Sequence, residues 1–272
     1  MDSRRAIRRI IQMLDLPSKQ WRAIKRGYSA NFEALRVTDK TVHRAQSSDL
    51  QKYFDSGTLG GGIWKWKHYC DIYDRHFCRF RGQEVHVLEI GVYRGESLKM
   101  WREYFGPKAH IYGVDIDKNC LAHEDNNIKI FIGDQADRRF WREFRRKVPT
   151  LDIVIDDGGH QPEQQIVSVE ELLPFLRSNG IYVCEDVLGA FNQFASYIHG
   201  LGHKLNDLMS GEGFQSDRVV CSCTAFQSAV GSIHLYPFVV VLERNACQVT
   251  EFEHLPATSN RNDSLAVWHG QV

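Results

Sequence analysis

Short apolar runs alternate with amphipathic stretches between residues 85 and 187 of this 272-residue chain. Runs rich in β-branched residues predict buried strands at Val85 to Ile90, Ile111 to Val114, Ile128 to Ile132, Leu151 to Ile155 and Ile181 to Cys184. Apolar residues at helical spacing predict helices at Ser97 to Phe105, at Arg138 to Arg146, and between the last two strands. This alternation predicts an α/β fold, a doubly wound, mostly parallel Rossmann-like sheet with helices on both faces.

The segments before and after this region follow other patterns. Residues 1 to 62 are predicted as an N-terminal helical extension and loop, residues 63 to 250 as the main domain, and residues 251 to 272 as a tail. Ile7, Ile10, Ile11 and Leu14 have helical spacing within a basic helix that ends near Pro17. This helix either docks on its own domain or a sister subunit, which would make a homo-oligomer, or makes weak contact with an anionic membrane surface.

Three further segments have patterns of their own. The aromatic-rich stretch from Ile63 to Phe80 is predicted to be helical, either packed on the sheet or acting as a lid with His68 or Tyr69 facing a ligand. Residues 188 to 227 mix glycine, serine and short apolar patches, and are predicted as a substrate-facing insertion. Ile233 to Leu242 is predicted as one long strand.

Composition narrows the class of protein. The 34 basic and 34 acidic residues balance, so charge gives no reason to expect a nucleic-acid partner. No apolar run approaches the roughly 20 residues that a membrane span needs. The N-terminus is interrupted by charge every few residues, so we expect no secretory signal. Seven scattered cysteines, an odd number, predict reduced thiols and a cytoplasmic protein.

Carboxylates follow two of the predicted strands. Asp157 comes just after the strand that begins at Leu151, and Glu185 and Asp186 follow the next strand. If these parallel strands are neighbours, the three carboxylates converge and repel one another unless a hard cation such as magnesium lies between them. They could instead be helix caps and solvated turn residues. His160, three residues after Asp157, favours a functional site.

A glycine-containing turn follows the first strand of the alternation. Gly91 and Gly95 would let the backbone approach a ligand closely, and Asp115, at the end of the next strand, has the position of an acid that binds ribose hydroxyls. The turn departs from the dinucleotide pattern, which disfavours a nicotinamide oxidoreductase. Glu89, just before the turn, suits a cationic ligand, and S-adenosylmethionine carries both a sulfonium and an ammonium group.

The motifs EIGVYRGESLKMW, IYGVDID, LDIVIDDGGH and GIYVCEDV resemble class I S-adenosylmethionine-dependent methyltransferases. Within that class they are similar to the metal-dependent sugar O-methyltransferases typified by the mycinamicin 2''-O-methyltransferase. The resemblance implies magnesium ligands and a general base, and it implies cofactor contacts at the glycine turn and beyond it. The implied ligands are Asp157, Glu185 and Asp186, the base is His160, and the cofactor residues are Gly91, Ser97, Asp115, Asp134 and Gln135, to which the residue argument adds Glu89.

This resemblance implies methyl transfer from S-adenosylmethionine to a sugar hydroxyl of a glycoside or oligosaccharide. Two alternatives remain open at this point, a catechol or other phenolic acceptor, and a module that binds S-adenosylmethionine without catalysis. His234 matches a family histidine whose role is uncertain, and a structural role is as well supported.

Overall fold

A computed structural model describes residues 19–31, 49–55, 62–207, 213–215 and 218–254. The chain divides into two compact units, residues 1–45 and 46–272, so the predicted boundary at residue 62 falls inside the second unit. In the first unit, residues 19–28 form helix α1, whose side chains are exposed. The basic helix predicted before Pro17 lies outside the described residues.

The second unit is built on a sheet that contains seven strands in the described part of the chain. The strands are β1 (Val85–Ile90), β2 (Ala109–Asp115), β3 (Ile128–Ile132), β4 (Leu151–Asp156), β5 (Leu176–Cys184), β8 (Val230–Tyr236) and β9 (Val239–Arg244), in the order β3-β2-β1-β4-β5-β9-β8. The first five pair in parallel, whereas β9 is antiparallel to both of its neighbours. The predicted doubly wound, mostly parallel sheet is confirmed.

Helices cover both faces of this sheet. The helices of the second unit are α2 (Asp49–Asp55), α3 (Tyr69–Phe77), α4 (Glu96–Phe105), α5 (Arg138–Phe144), α6 (Pro162–Leu172), α7 (Gln193–Leu205) and α8 (Ala225–Ala229). α3 and α4 bury large aromatic side chains, including Tyr73 and Trp101, on one face. α5, α6 and α7 pack on the other face, where Trp141 and Phe194 are fully buried. The strands are buried from both sides, which explains their nearly continuous apolar runs.

The strand predicted over Ile233 to Leu242 is wrong. This segment is a hairpin in which β8 turns into β9 at Pro237 and Phe238, and Phe238 has a positive φ of 66°. Proline has no amide hydrogen for a ladder, and a left-handed residue reverses the chain direction, so an apolar run can contain a turn. The apolar character of the segment reflects the burial of β9 between β5 and β8.

Several elements lie where the sequence indicated loops. α7 is a thirteen-residue helix inside the predicted insertion, and α2 lies inside the polar N-terminal stretch. Strands β6 (Gly213–Gln215), β7 (Arg218–Ser222) and β10 (Glu251–His254) form a second antiparallel sheet in the order β10-β7-β6. None of the described helices is both long enough and apolar enough to cross a membrane.

Candidate active site

The carboxyl ends of β1, β4 and β5 meet at one edge of the sheet. β4 pairs in parallel with both strands, with Asp156 opposite Ile90 on one side and Cys184 on the other. The residues that follow β4 and β5 are therefore neighbours, and the amide of Glu185 donates to the carbonyl oxygen of Asp156 at 2.9 Å. The adjacency on which the predicted carboxylate cluster depended is confirmed.

The glycine turn after β1 lies against the turn after β4. Gly91 has a φ of 91°, and a Cβ added there would lie 2.1 Å from the carbonyl oxygen of Asp157. The Asp157 amide in turn donates to the carbonyl oxygen of Ile90 at 3.0 Å. Only glycine fits at position 91, both for its backbone angle and for this close approach.

A cavity of about 500 Å³ opens beside these two turns. Its wall contains most of the predicted cofactor residues: Gly91, Ser97, Asp115, Asp134 and Gln135. It also contains Asp157, His160 and Asp186, so the predicted cofactor residues and part of the predicted catalytic group share one space. The volume lies within the range of about 300 to 1,000 Å³ that is usual for small-molecule sites.

Asp115 is held by backbone amides of the glycine turn. Its Oδ2 accepts from Val92 at 2.8 Å and Tyr93 at 3.1 Å, and its Oδ1 accepts from Asp117 at 2.8 Å. Burial raises the pKa of Asp115, but these donors outweigh burial and the net pKa is lowered. Asp115 therefore supports the shape of the turn, a role that the sequence prediction did not include.

Gln135 connects the cavity wall to the end of β4 and to α6. Its Oε1 accepts from the Gly159 amide at 2.8 Å, and its Nε2 donates to Asp156 Oδ1 at 3.0 Å and to Ser168. Burial raises the pKa of Asp156 to about 6, against the opposing effect of its hydrogen bonds from Tyr182 and Gln135. The amide side chain of Gln135 is thus occupied in fixing the turn that carries Asp157 and His160.

Glu89 lies behind the cavity wall. Its side chain is fully buried, with Oε2 accepting from the Ser97 hydroxyl at 2.6 Å and Oε1 3.5 Å from Lys65 Nζ. Burial raises the pKa of this carboxyl group. Since β strands alternate their side chains, Glu89 points to the α4 face with Val87. Direct contact between Glu89 and a cofactor stays a prediction, and its neighbours give it a supporting position.

Asp157, His160 and Asp186 form a group that faces the cavity, which we call the open site. His160 Nε2 lies 3.9 Å from Asp157 Oδ1 and 3.8 Å from Asp186 Oδ2, and one donor atom from each residue falls within 4.8 Å of the others. These gaps are longer than hydrogen bonds and leave the three atoms available to a ligand. His160 and Asp186 both have left-handed backbones, with φ of 55° and 53°.

Glu185, the third predicted magnesium ligand, is not part of the cavity wall. It is buried and accepts from Tyr73 at 2.5 Å and from Lys65 through both oxygens, at 3.0 and 2.9 Å. Burial and the nearby Asp157 raise the pKa of Glu185. Its role as a metal ligand stays a prediction.

Lys65 is the residue that sequence reasoning missed. No basic residue between 151 and 187 neutralises the carboxylates, but Lys65 reaches Asp157 Oδ2 at 2.8 Å from 92 positions earlier in the chain. Burial alone would lower the pKa of Lys65, yet Asp157, Glu185 and Glu89 together raise it well above its usual value. The local indication was a lysine between two tryptophans in an aromatic-rich stretch.

For the aromatic segment that contains Lys65, packing on the sheet is confirmed, whereas a role as a lid facing a ligand stays a prediction. α3 packs in the core, and Tyr69, which is 1% exposed, donates to Asp186 Oδ1 at 2.7 Å. Trp66 donates to the same oxygen at 3.2 Å through Nε1. His68 contacts the carbonyl oxygen of Pro237 at 3.0 Å, so it meets the hairpin turn. Residues 62–66 are not helical, and the helix begins at Tyr69.

Residues 88–187 match a family model described as "Methyltransferase domain". This span contains the glycine turn, most of the cavity wall and all three members of the open site. This part of the chain is thus similar to methyltransferase domains. Outside the matched span lie Lys65 and the aromatic residues that contact the Asp186 carboxylate.

The chain is also similar to several sugar O-methyltransferases. The chain is 40% identical over 175 residues to an 8-demethyl-8-(2-methoxy-alpha-L-rhamnosyl)-tetracenomycin-C 3'-O-methyltransferase of Streptomyces olivaceus, covering 59% of this chain and 43% of the relative. It is 39% identical over 152 residues to the mycinamicin VI 2''-O-methyltransferase of Micromonospora griseorubida, covering 53% of this chain and 36% of the relative. The chain thus spans less than half the length of these relatives.

A solved structure is similar to this chain as well. It is MycE, a methyltransferase from the mycinamycin biosynthetic pathway in complex with Mg and SAH. The TM-score is 0.60 at 27% identity, and the match covers 83% of this chain and 59% of MycE. Another structure of MycE, in complex with Mg, SAH and mycinamycin VI, matches with a TM-score of 0.56 at 28% identity, over 73% of this chain and 54% of that one.

Proposed function

We propose that the chain transfers a methyl group from S-adenosylmethionine to a sugar hydroxyl of a glycoside or oligosaccharide, with magnesium and with His160 as general base. The observation that carries the proposal is that the methyltransferase-domain cavity ends at the open site. The names of the relatives support a sugar acceptor, and the Mg and SAH bound to MycE support both cofactors.

The cofactor would occupy the side of the cavity near the glycine turn. The close approach at Gly91 leaves a smooth backbone surface there, and the carboxylates of Asp115 and Asp134 are suited to ribose and adenine groups. Asp115 already accepts two amide hydrogens from the turn through Oδ2, so a ribose would share Oδ1 with the Asp117 amide. Asp115 would therefore both bind the cofactor ribose and hold the shape of the glycine turn.

The donor set of the open site fits magnesium. Mg²⁺ in proteins is usually held by one or two carboxylates and keeps its other positions for water or substrate. Asp157 Oδ1 and Asp186 Oδ2 are two such oxygens, and both face the cavity near His160. When bound, magnesium would orient two neighbouring hydroxyls of the acceptor and lower the pKa of the one that reacts.

His160 is placed to take the proton of the reacting hydroxyl. Nε2 is the ring nitrogen nearest both carboxylates of the open site, and Nδ1 is buried with no hydrogen-bond partner among the described residues. The left-handed backbone of a non-glycine residue is strained, and strain of this kind is concentrated at functional sites. Help from a general base typically gives about 10²- to 10⁴-fold in rate.

Exposed aromatic side chains beside Asp186 support a sugar acceptor. Trp66 is 50% exposed and donates to Asp186, and its ring lies 5.2 Å from that of Phe238, which is 37% exposed. Trp64, which is 87% exposed, also lines the cavity. A sugar ring has an apolar C–H face and a hydroxyl-rich edge. Such a ring could stack on the indole of Trp66 while its hydroxyls reach the carboxylates.

The direct test is methyl transfer from labelled S-adenosylmethionine to a panel of acceptors, measured with magnesium and with excess chelator. We expect S-adenosylhomocysteine to form with glycosides that carry vicinal hydroxyls, and the reaction to stop with chelator. Faster turnover of model catechols than of every glycoside would favour the phenolic alternative. Cofactor binding without any product across the panel would favour a non-catalytic module.

The same proposal includes the cellular compartment of the protein and its partners. All seven cysteines are free thiols, which suits a reducing compartment such as the cytoplasm. A small-molecule or oligosaccharide glycoside is the expected partner, and the balanced charge gives no reason to add nucleic acid. Homo-oligomer formation and membrane-surface contact by the basic N-terminal segment stay predictions that gel filtration and vesicle flotation would test.

A further inference from the structure

Three side chains meet at the amino ends of β1 and β2, at the end of the sheet opposite the open site. His86 and His110 are register partners on these neighbouring parallel strands, so their side chains lie on the same face of the sheet. Glu84 precedes His86 by two positions, and its Oε1 lies 3.7 Å from His110 Nε2. One donor atom from each of the three residues lies within 4.8 Å of the others. We call this group the amino-end cluster.

His86 is held in the orientation of a metal ligand. Its side chain is buried, its backbone amide donates to Asp152 Oδ2 at 2.7 Å, and its Nδ1 contacts the Tyr112 hydroxyl at 2.9 Å. When Nδ1 donates to the Tyr112 oxygen, the proton stays on Nδ1 and Nε2 keeps a lone pair for a ligand. Metal-binding histidines characteristically use their second ring nitrogen in this way, which fixes both the tautomer and the ring orientation.

His110 and Glu84 have the freedom to close the cluster around an ion. Their side chains are 48% and 72% exposed, and the 3.7 Å between them is longer than a hydrogen bond. The His110 ring stacks on that of His86, with ring centres 4.6 Å apart and planes 9° from parallel. Two donors bound to one ion at about 2.1 Å lie at most about 4.2 Å apart. A rotation of His110 out of the stack that shortens the donor separation by under about 1 Å is therefore sufficient.

The charges around the cluster are compatible with a divalent cation. Burial, His110 and Arg177 together lower the pKa of His86, so this ring is neutral at neutral pH. Arg177 itself is paired with Asp152 at 3.2 Å, which compensates its charge. Two imidazole nitrogens and one carboxylate oxygen are a donor set that suits Zn²⁺, whereas Mg²⁺ prefers oxygen ligands. The amino-end cluster therefore differs from the open site in the metal that its donors favour.

We propose that Glu84, His86 and His110 bind one Zn²⁺ ion, which joins β1 to β2 at the amino end of the sheet. The proposal is independent of the proposed function, because these residues are not part of the cavity wall. Three protein ligands leave one position of a tetrahedral ion for water. Because the unfolded chain does not hold these donors together, binding stabilises the folded chain. The ion thus acts as a cross-link between two core strands.

The first test is Zn²⁺ binding to the full-length protein with saturating Mg²⁺ present, measured by calorimetry. His110→Ala removes a ligand at the surface and should weaken one class of Zn²⁺ site by at least about 10-fold. Tyr112→Phe removes the partner of His86 Nδ1 and should weaken the same site by about 10-fold. His199→Ala, which removes an exposed histidine of α7, is the matched control and should bind as the wild type does. If Tyr112→Phe does not fold, His110→Ala decides alone.

A second test uses Co²⁺ as a spectroscopic probe and the melting temperature as a readout of stability. Four-coordinate Co²⁺ absorbs visible light far more strongly than six-coordinate Co²⁺ does, so an ion in the amino-end cluster should give an intense band. His110→Ala should lose this band, and His160→Ala, which changes the open site, should keep it. Zn²⁺ should raise the melting temperatures of the wild type and of His199→Ala more than that of His110→Ala.

The outcomes are distinct from those of the proposed function. Methyl transfer by His110→Ala should stay within about 2-fold of the wild type, because the side chain lies on the surface at the far end of the sheet. Zn²⁺ affinity that is unchanged in His110→Ala, or a Co²⁺ band that disappears in His160→Ala, would overturn the proposal. A wild type with no Zn²⁺ site tighter than about 0.1 mM would overturn it as well. A wild type that binds Zn²⁺ here and transfers no methyl group would instead contradict the proposed function alone.

Discussion

Two groups of histidine and carboxylate side chains in this protein have similar composition and different surroundings. The open site combines one histidine with two aspartates at the cavity, and a second group at the sheet edge, which we call the edge cluster, combines His76, His234 and Glu243. In each group, one donor atom per residue lies within 4.8 Å of the others. By composition alone, the edge cluster is the better transition-metal site, because imidazole is its main donor.

The donors of the edge cluster are already in use. His76 contacts Glu243 through Nδ1 at 2.8 Å and the Tyr236 hydroxyl through Nε2 at 2.9 Å. The Arg79 guanidinium lies 3.3 Å from the same Glu243 oxygen, so this carboxylate already has a positively charged neighbour. His234 contacts Ser232 at 3.0 Å. The bonds of His76 join α3 to both strands of the edge hairpin, and a structural role for His234 beside them stays a prediction.

The two groups differ in whether their donor atoms are available to bind a ligand, and not in the types of residue they contain. In the open site the distances from His160 to its carboxylates exceed hydrogen-bond length, and the atoms face a cavity. In the edge cluster the carboxylate is compensated from within: the hydrogen bond from His76 and the nearby Arg79 lower the pKa of Glu243 to about 2. A candidate ligand site is therefore recognised by donor atoms that have no hydrogen-bond partner within the protein and face a cavity.

The largest expected effect is at the open site. Asp157→Asn should lower turnover by at least about 10³-fold, since the metal contribution to such reactions is worth several kcal/mol. The matched change in the edge cluster, Glu243→Gln, should leave turnover within about 2-fold, because that carboxylate serves the fold. Rates at saturating cofactor and acceptor would measure both. Equal losses in the two variants would remove the distinction drawn here.

The next effect concerns the two histidines. His160→Ala should lower kcat by at least about 10²-fold, with cofactor affinity and melting temperature nearly unchanged, because a base contributes to the rate alone. His234→Ala should keep kcat and lower the melting temperature. A His160→Ala protein with normal turnover and reduced stability would make this residue a helix cap.

A third test compares the open site with the cofactor end of the same cavity. Asp115→Ala should weaken S-adenosylmethionine binding by about 10- to 100-fold, or roughly 1.5 to 3 kcal/mol, the scale of lost hydrogen bonds to a charged group. Part of the loss would come from the Val92 and Tyr93 amides that lose their acceptor. Calorimetry gives the affinity, with Asp125→Ala, an exposed carboxylate outside the cavity wall, as control. Unchanged affinity would remove Asp115 from the cofactor site.

The smallest effect is the pH dependence of the edge cluster. The folded pKa of Glu243, about 2, lies below its ordinary value of 4.5, so its stabilising contribution is fully present above about pH 4.5 and is lost as pH falls toward 2. After allowance for solvent screening, this contribution is about 1 kcal/mol. Urea unfolding of wild type and Glu243→Gln should differ by that amount at pH 7 and by less at pH 3.5. A difference that grows on acidification would contradict the assignment.

Sequence reasoning was most successful where local pattern and local chemistry coincide. The bounds of β1 and β3 were predicted to the residue, and the strand-helix-strand unit predicted the proximity of Asp157, His160 and Asp186. It failed at Pro237, where an apolar run conceals a turn. It also failed over residues 188 to 227, where α7 was taken for part of an insertion although its apolar residues lie on one face.

The sequence by itself determined the sheet, its parallel core and the strand ends at which the acidic residues gather, because side-chain periodicity and turn residues act over a few positions. Only the tertiary structure decided which carboxylates are neutralised. Lys65 lies 120 positions from Glu185, and no local pattern records that pairing. Charge compensation acts through space. The buried carboxylates of Glu89 and Glu185 are therefore paired with Lys65 only once the segment before α3 has packed against the ends of β1, β4 and β5.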